Sequence, residues 1–168
     1  GFEAGRVYVF YGGTPLPASA DLILEGPAAN ARFGWAVAAA GDLDGDGIAD
    51  LAVGAPYHDA GGSDAGSVHI YHGGSGGLAP AADVVLPGRR PLEHFGWSLA
   101  GVGEFLGPGA DCLAVGAPSH ATSSTSIAGR AYVFAGPGPD VDLTLASSAT
   151  AAAGNGFGYS LAAVGSVD

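Results

Sequence analysis

Asp42, Asp44, Asp46 and Asp50 fall within nine residues of the stretch GDLDGDGIADLAVGAP, positions 41–56. Like charges at that density repel unless something positive sits among them. Counted from Asp42, the acids take positions 1, 3, 5 and 9, and Ile48 takes position 7. Alternate residues of a tight loop turn their oxygens toward one centre, and Gly45 and Gly47 permit the sharp bends. Four carboxylates and the Ile48 carbonyl form a hard oxygen set suited to Ca²⁺, which takes six to eight such ligands in flexible geometry. Magnesium keeps more of its water, and zinc prefers nitrogen or sulfur. An EF-hand requires a glutamate at position 12, where Val53 stands, and flanking helices. A merely solvated acidic turn would leave the register of the acids without a cause. The expected site is therefore one Ca²⁺ held by Asp42, Asp44, Asp46, the Ile48 carbonyl and Asp50.

The elements that must position this loop recur along the chain. Phe-Gly occurs at 33, 95 and 157, each 62 residues from the last, and LAVGAP occurs at 51–56 and 113–118. GRVYVF at 5–10 returns as GSVHIY at 66–71 and GRAYVF at 129–134. DLIL at 21–24 returns as DVVL at 83–86 and more loosely as DLTL at 142–145. Each period thus holds four short elements. In FGWAVAAAG, 33–41, Phe33, Trp35 and Val37 alternate with Gly34, Ala36 and Ala38. Period two with large and tiny residues on opposite faces predicts a strand from Phe33, buried on both sides. A helix would need apolar residues at three- and four-residue spacing, and the glycines oppose it. The other elements are rich in β-branched and aromatic residues and are bounded by GG, GP and PG. Four short antiparallel strands per repeat predict an all-β chain of β-propeller blades. A parallel β-helix has shorter rungs and lacks these hairpin turns.

Phe-Gly, the aspartate loop and Gly-Ala-Pro, in this order, resemble the FG-GAP repeat of integrin α-subunit propellers and their bacterial relatives. The aspartate loop is similar to the DxDxDGxxD calcium site of those propellers at every acidic position. The resemblance implies blades of about 60 residues in a ring of about seven. On that basis residues 1–27 supply the last two strands of a blade, 28–88 a complete blade with the calcium loop, 89–146 a complete blade with a degenerate loop, and 147–168 the first strand of a further blade. Such a set does not close a ring of about four to eight blades. Remaining blades of a longer chain, or other copies, are expected to complete it. Methionine is absent at every position, including the first, as expected of a processed or partial chain.

One repeat later the loop is broken. Glu104, Leu106, Pro108 and Cys112 replace the four aspartates, and Asp111 is out of register by one. This blade is expected to bind no calcium, its turn being held by Pro108 and local hydrogen bonds. A third copy opens with Ser166-Val167-Asp168, where the sequence ends. Other groupings point to scaffold rather than chemistry. GGSGG at 73–77 matches the GxSxG nucleophile elbow, but Ser75 would sit in a hairpin turn instead of leading into a helix. His58 and His120 follow each Gly-Ala-Pro at equivalent places, which suits loop architecture. His69, His72 and His94 have no acid or cysteine partner by spacing. Cys112 is expected to be a packed thiol, and Trp35 and Trp97 to join an inter-blade core.

Composition narrows the function. The 168 residues are 48% apolar, and 16 acids against 5 bases give a net charge of -11. All five bases are arginines, at 6, 32, 89, 90 and 130, and they form no basic stretch. Binding to nucleic acid is excluded by that charge, and no apolar run approaches the roughly 20 residues of a spanning helix, so no membrane insertion is expected. No nucleophile, acid–base pair or catalytic metal grouping appears, so the chain is not expected to be an enzyme. The expectation is a calcium-stabilised propeller, secreted or at the cell surface, acting as a binding or adhesion module. Its ligand would be a protein or glycan at the loop face. The alternatives are an accessory segment of a larger secreted hydrolase and a structural element of a surface filament.

Overall fold

The computed structural model describes residues 2–14, 17–109, 111–123, 126–136, 138, 140, 143–146 and 156–164. Strands β1 (Arg6–Val9) and β2 (Leu22–Glu25) form a two-stranded antiparallel sheet. β3 (Ala36–Gly41), β4 (Asp50–Ala55), β5 (Ser67–Tyr71) and β6 (Val84–Pro87) form a four-stranded meander in chain order. β7 (Ser98–Gly103) and β8 (Cys112–Ala117) begin a second four-stranded sheet. A small hairpin of β9 (Ala121–Ser123) and β10 (Ser126–Ile127) intervenes before β11 (Arg130–Ala135) and β12 (Leu143–Leu145) complete it. All these ladders are antiparallel. The chain is all-β, built from propeller blades.

The blades hold together through the faces of their sheets. Ala52, Val68, Ile70 and Leu86 of the first complete sheet pack with Leu113, Val115, Tyr132 and Phe134 of the second, around Phe95. On the far side of the first sheet, Val53, Ala55 and Tyr71 pack with Leu24, Phe33, Val7 and Val9. Cys112 is buried with Ala114 and Val133 on the far face of the second sheet. Burial at roughly 25 cal/mol per Å² of apolar area drives this stacking. The two LAVGAP strands lie second in their sheets and are buried on both faces, which accounts for their unbroken apolar run.

The glycines of the two signature motifs meet each other across the blade seam. A Cβ on Gly54 would fall 2.1 Å from the Gly96 carbonyl oxygen, and one on Gly116 would fall 2.0 Å from that of Gly158. Gly96 N–H in turn donates to Gly116 O at 3.1 Å. A second recurring contact is a parallel bridge: Gly5 to Phe33, Gly66 to Phe95 and Gly129 to Phe157. Phe-Gly of one blade, bonded to the Gly-Ala-Pro strand of its own sheet, thus meets the Gly-Ala-Pro of the preceding blade in a backbone-to-backbone fit that a side chain would prevent.

That fit corrects the expected strand from Phe33. Gly34 takes φ +85° and Trp35 N–H donates to Arg32 O at 3.1 Å, so Phe33–Trp35 is a turn and β3 starts at Ala36. Phe33 is buried, whereas Val37 is 50% exposed, because β1 and β2 do not reach the inner half of this face. The tryptophans are not core either. Trp35 is 46% exposed, and its ring lies 4.7 Å from that of Trp97 in a surface row that continues to Tyr159 at 5.4 Å. Residues 156–164 carry the Phe157 bridge and no strand. The loop that begins at Ser166 lies outside the described residues.

Candidate metal centre

The aspartate loop spans the gap between β3 and β4, and its mouth is a β-bulge. The ladder skips from Ala39–Leu51 to Gly41–Asp50, with Gly41 at φ +81°. The same bulge recurs at Gly101–Gly103 in the next sheet, so the fold provides the opening in both blades and the side chains decide its use. Leu43 is 1% exposed and buried in the inter-blade core, which pins the loop to the sheet.

Within the loop, carboxylates satisfy backbone donors. Asp42 Oδ1 accepts from Gly45 N–H at 2.7 Å and Asp46 N–H at 3.0 Å, and its Oδ2 from Gly47 N–H at 2.8 Å. Asp50 is 3% exposed; its Oδ2 accepts from Leu43 N–H at 2.8 Å and its Oδ1 from Gly73 N–H at 2.9 Å. Asp44 Oδ1 accepts from Asp46 N–H at 3.2 Å. These bonds fold the acids inward. Asp42, Asp44 and Asp50 each offer one oxygen, and the three lie within 4.8 Å of one another. Asp46 stands outside this trio, with its Oδ1 accepting from Ile48 N–H at 2.8 Å, and the Ile48 residue is 39% exposed. The donor set is hard, anionic and all-oxygen, which fits a cation of the Ca²⁺ type.

Two neighbours of the loop were not legible from spacing. His72, in the turn after β5, places its Nδ1 3.3 Å from Asp44 Oδ2. Asp111, from the broken loop of the next blade, accepts from Asp42 N–H at 2.8 Å through its Oδ2. Glu104 does not approach in the same way; its Oε1 accepts from Gly109 N–H at 3.0 Å and closes its own turn. Ser75 lies in the β5–β6 turn, not before a helix.

Three of the remaining histidines fall in two separate clusters, while His94 pairs through Nδ1 with Ser119 Oγ at 2.8 Å. His58 Nδ1 and His69 Nε2 both face Ser67 Oγ, at 2.8 and 3.0 Å. Burial, with the charge of His58, pulls His69 down to about 4, and burial also lowers His58 against the opposing pull of Asp59. His120 has an acid partner that no spacing along the chain points to: its Nδ1 lies 2.7 Å from Glu93 Oε2, and both residues are 1% exposed. Glu93 also accepts from Arg89 N–H, from Arg90 N–H at 3.3 Å and from Tyr132 O–H at 3.3 Å. Burial lowers His120 despite the hydrogen bond to Glu93, and burial with the Glu93 charge pushes Tyr132 up to about 12. Each cluster ties the turn after Gly-Ala-Pro to the third strand of its own blade, so His58 and His120 share no site.

A meander of four-stranded sheets stacked face to face, joined at Phe-Gly and Gly-Ala-Pro, with an acid-lined loop between the first two strands, defines a propeller of integrin type. The chain carries an FG-GAP repeat: the model of that family matches residues 33–71. It is 39% identical over 119 residues to integrin alpha-5 of Xenopus laevis, a match covering 68% of this chain and 11% of that protein. It is 40% identical over 103 residues to integrin alpha-3 of Mus musculus, covering 58% and 9%. Against integrin alpha-E of Homo sapiens it is 42% identical over 127 residues, covering 68% and 10%. The chain therefore spans about a tenth of the length of these relatives. Among the described residues, no helix is long and apolar enough to cross a membrane.

Proposed function

We propose that the chain is part of an extracellular, calcium-stabilised propeller that acts as a binding or adhesion module and performs no catalysis. The convergence of Asp42, Asp44 and Asp50 within 4.8 Å carries this reading. Asp46 and the Ile48 carbonyl complete the proposed ligand set, with Asp46 giving up its bond to Ile48 N–H to do so. A divalent cation there offsets two of the four carboxylate charges and ties the first two strands of the blade at their bulge. Blade division at residues 27, 88 and 146 is part of the same proposal, as is a protein or glycan partner at the loop face. Integrin relatives support the adhesion reading and its cell-surface setting. Calorimetric titration of the chain with calcium chloride tests it. One ion per chain is expected, with weakened binding in Asp44→Ala and Asp50→Asn; no heat at millimolar calcium would overturn the reading.

A further inference from the structure

The turn after β5, His72–Gly73, forms the outer wall of the aspartate loop. A Cβ on Gly73 would fall 2.4 Å from Ala49 O and 2.7 Å from Ile48 Cγ2, so the turn and the loop touch. The His72 ring stands at this wall with Nδ1 3.3 Å from Asp44 Oδ2, while its backbone N–H donates to Asp83 Oδ2 at 2.8 Å. A carboxylate only accepts, so attraction between these two atoms requires the ring proton on Nδ1. Nε2 is buried and has no hydrogen-bond partner among the described residues. An unmet buried polar atom is costly, so free packing would not select this placement; the contact with Asp44 offsets it.

The three acids of the trio are held unequally. Asp42 accepts from three backbone amides and Asp50 from two. Asp44 accepts from one, at 3.2 Å, and among the described residues His72 is the side chain that fixes its other oxygen. The repeats provide an internal comparison. The residue following GSVHIY is His72, and its counterpart following GRAYVF is Ala135. Histidine accompanies the blade with the intact loop, and alanine accompanies the blade in which Glu104, Leu106, Pro108 and Cys112 replace the aspartates.

We propose that His72 is a positioning residue for the cation site, holding Asp44 toward the centre through its Nδ1–H. The proposal rests on the reading of the aspartate loop as a cation site. Partners that orient a ligating carboxylate typically contribute 10–100-fold in metal affinity.

The test compares His72→Phe, which keeps a ring without a donor, with His72→Asn, whose amide N–H can replace Nδ1–H. Calcium chloride is titrated calorimetrically into each full chain, and thermal midpoints are measured in EDTA and in calcium. The Phe variant is expected to bind about 10–100-fold more weakly and the Asn variant within about threefold of wild type. Midpoints in EDTA should agree across all three proteins. Equal affinity in wild type and the Phe variant, equal weakening in both variants, or a Phe variant destabilised as much in EDTA as in calcium would each overturn the positioning role. If the wild-type chain itself bound no calcium, the cation site would fall, a result distinguishable from all of these.

Discussion

Replacing Gly54 by alanine tests whether the signature glycines form the seam between blades. The added Cβ would sit 2.1 Å from Gly96 O and 3.1 Å from Gly96 C, both backbone atoms that no rotamer change can move away. Ordinary contact at about 3.4 Å requires the two backbones to separate by roughly 1.3 Å, in a seam whose packing is close to that of a crystal. From the turn before β3, Gly34 N–H donates to Gly54 O at 3.0 Å, and that bond would stretch as β4 shifted. Overpacking of this kind costs about 1–3 kcal/mol, and a weakened hydrogen bond adds about 1 kcal/mol. For a chain of this size, a loss of about 2–4 kcal/mol lowers the thermal midpoint by roughly 5–15 °C. Gly76→Ala is the control, because no atom of the described residues lies within 4 Å of its Cβ and its φ lies outside the left-handed region. Circular dichroism melts and urea titrations would be run on both variants. A Gly54→Ala protein within about 0.5 kcal/mol of wild type, a typical surface effect, would refute the seam argument.

Three further outcomes follow from the same geometry. Asp46→Ala should weaken calcium binding by removing a charged ligand, as calorimetry would show; unchanged affinity would restrict the site to Asp42, Asp44, Asp50 and backbone or water oxygens. Calcium stoichiometry should stay at one because Glu104 caps its own turn, and anomalous density at Glu104 in a calcium-soaked crystal would contradict this. Acid should destabilise the fold through its histidines. His69 sits at about 4 when folded against an ordinary 6.5, so the unfolded chain takes up a proton that the folded chain refuses. Its contribution is complete above about pH 6.5 and is lost as pH falls toward 4, at most about 3 kcal/mol. His58, His94 and His120 are lowered in the same direction. Urea titrations from pH 7 to pH 4 should show this fall, and His69→Phe should flatten it; a stability independent of pH over that range would refute the argument.

The parts of the fold that repeat were legible in the sequence. Period-two alternation and LAVGAP located the strands, and the register of acids located the loop, because both are properties of consecutive residues. Phe33–Trp35 was misassigned since alternation does not show that Gly34 must turn to let the neighbouring backbone approach; the reason lies in β1, some 25 residues away. The tryptophans were misassigned because recurrence shows equivalent place but not which side of the blade is covered. Leu43, His72, Asp111 and the pair Glu93–His120 depend on contacts between elements far apart in the chain, for which no spacing rule exists.

The comparison of the two loops separates what the fold supplies from what the side chains add. Both blades have the bulge, and both loops open at a glycine with positive φ, Gly41 and Gly103. In the first, Leu43 is buried between sheets; its counterpart, Phe105, is 56% exposed. In the first, Asp50 is a buried carboxylate receiving two amide protons; its counterpart, Cys112, is buried with Ala114 and Val133. A thiol suits that apolar place, whereas an ionised carboxylate there would need the donors that Leu43 and Gly73 provide in the first blade. The broken loop still serves the intact one, because Asp111 accepts from Asp42 N–H, the amide of the first acid in the series. A carboxylate of the blade without the acid series thus braces the neighbouring loop, and the cation-type loop belongs to a pair of blades rather than to one.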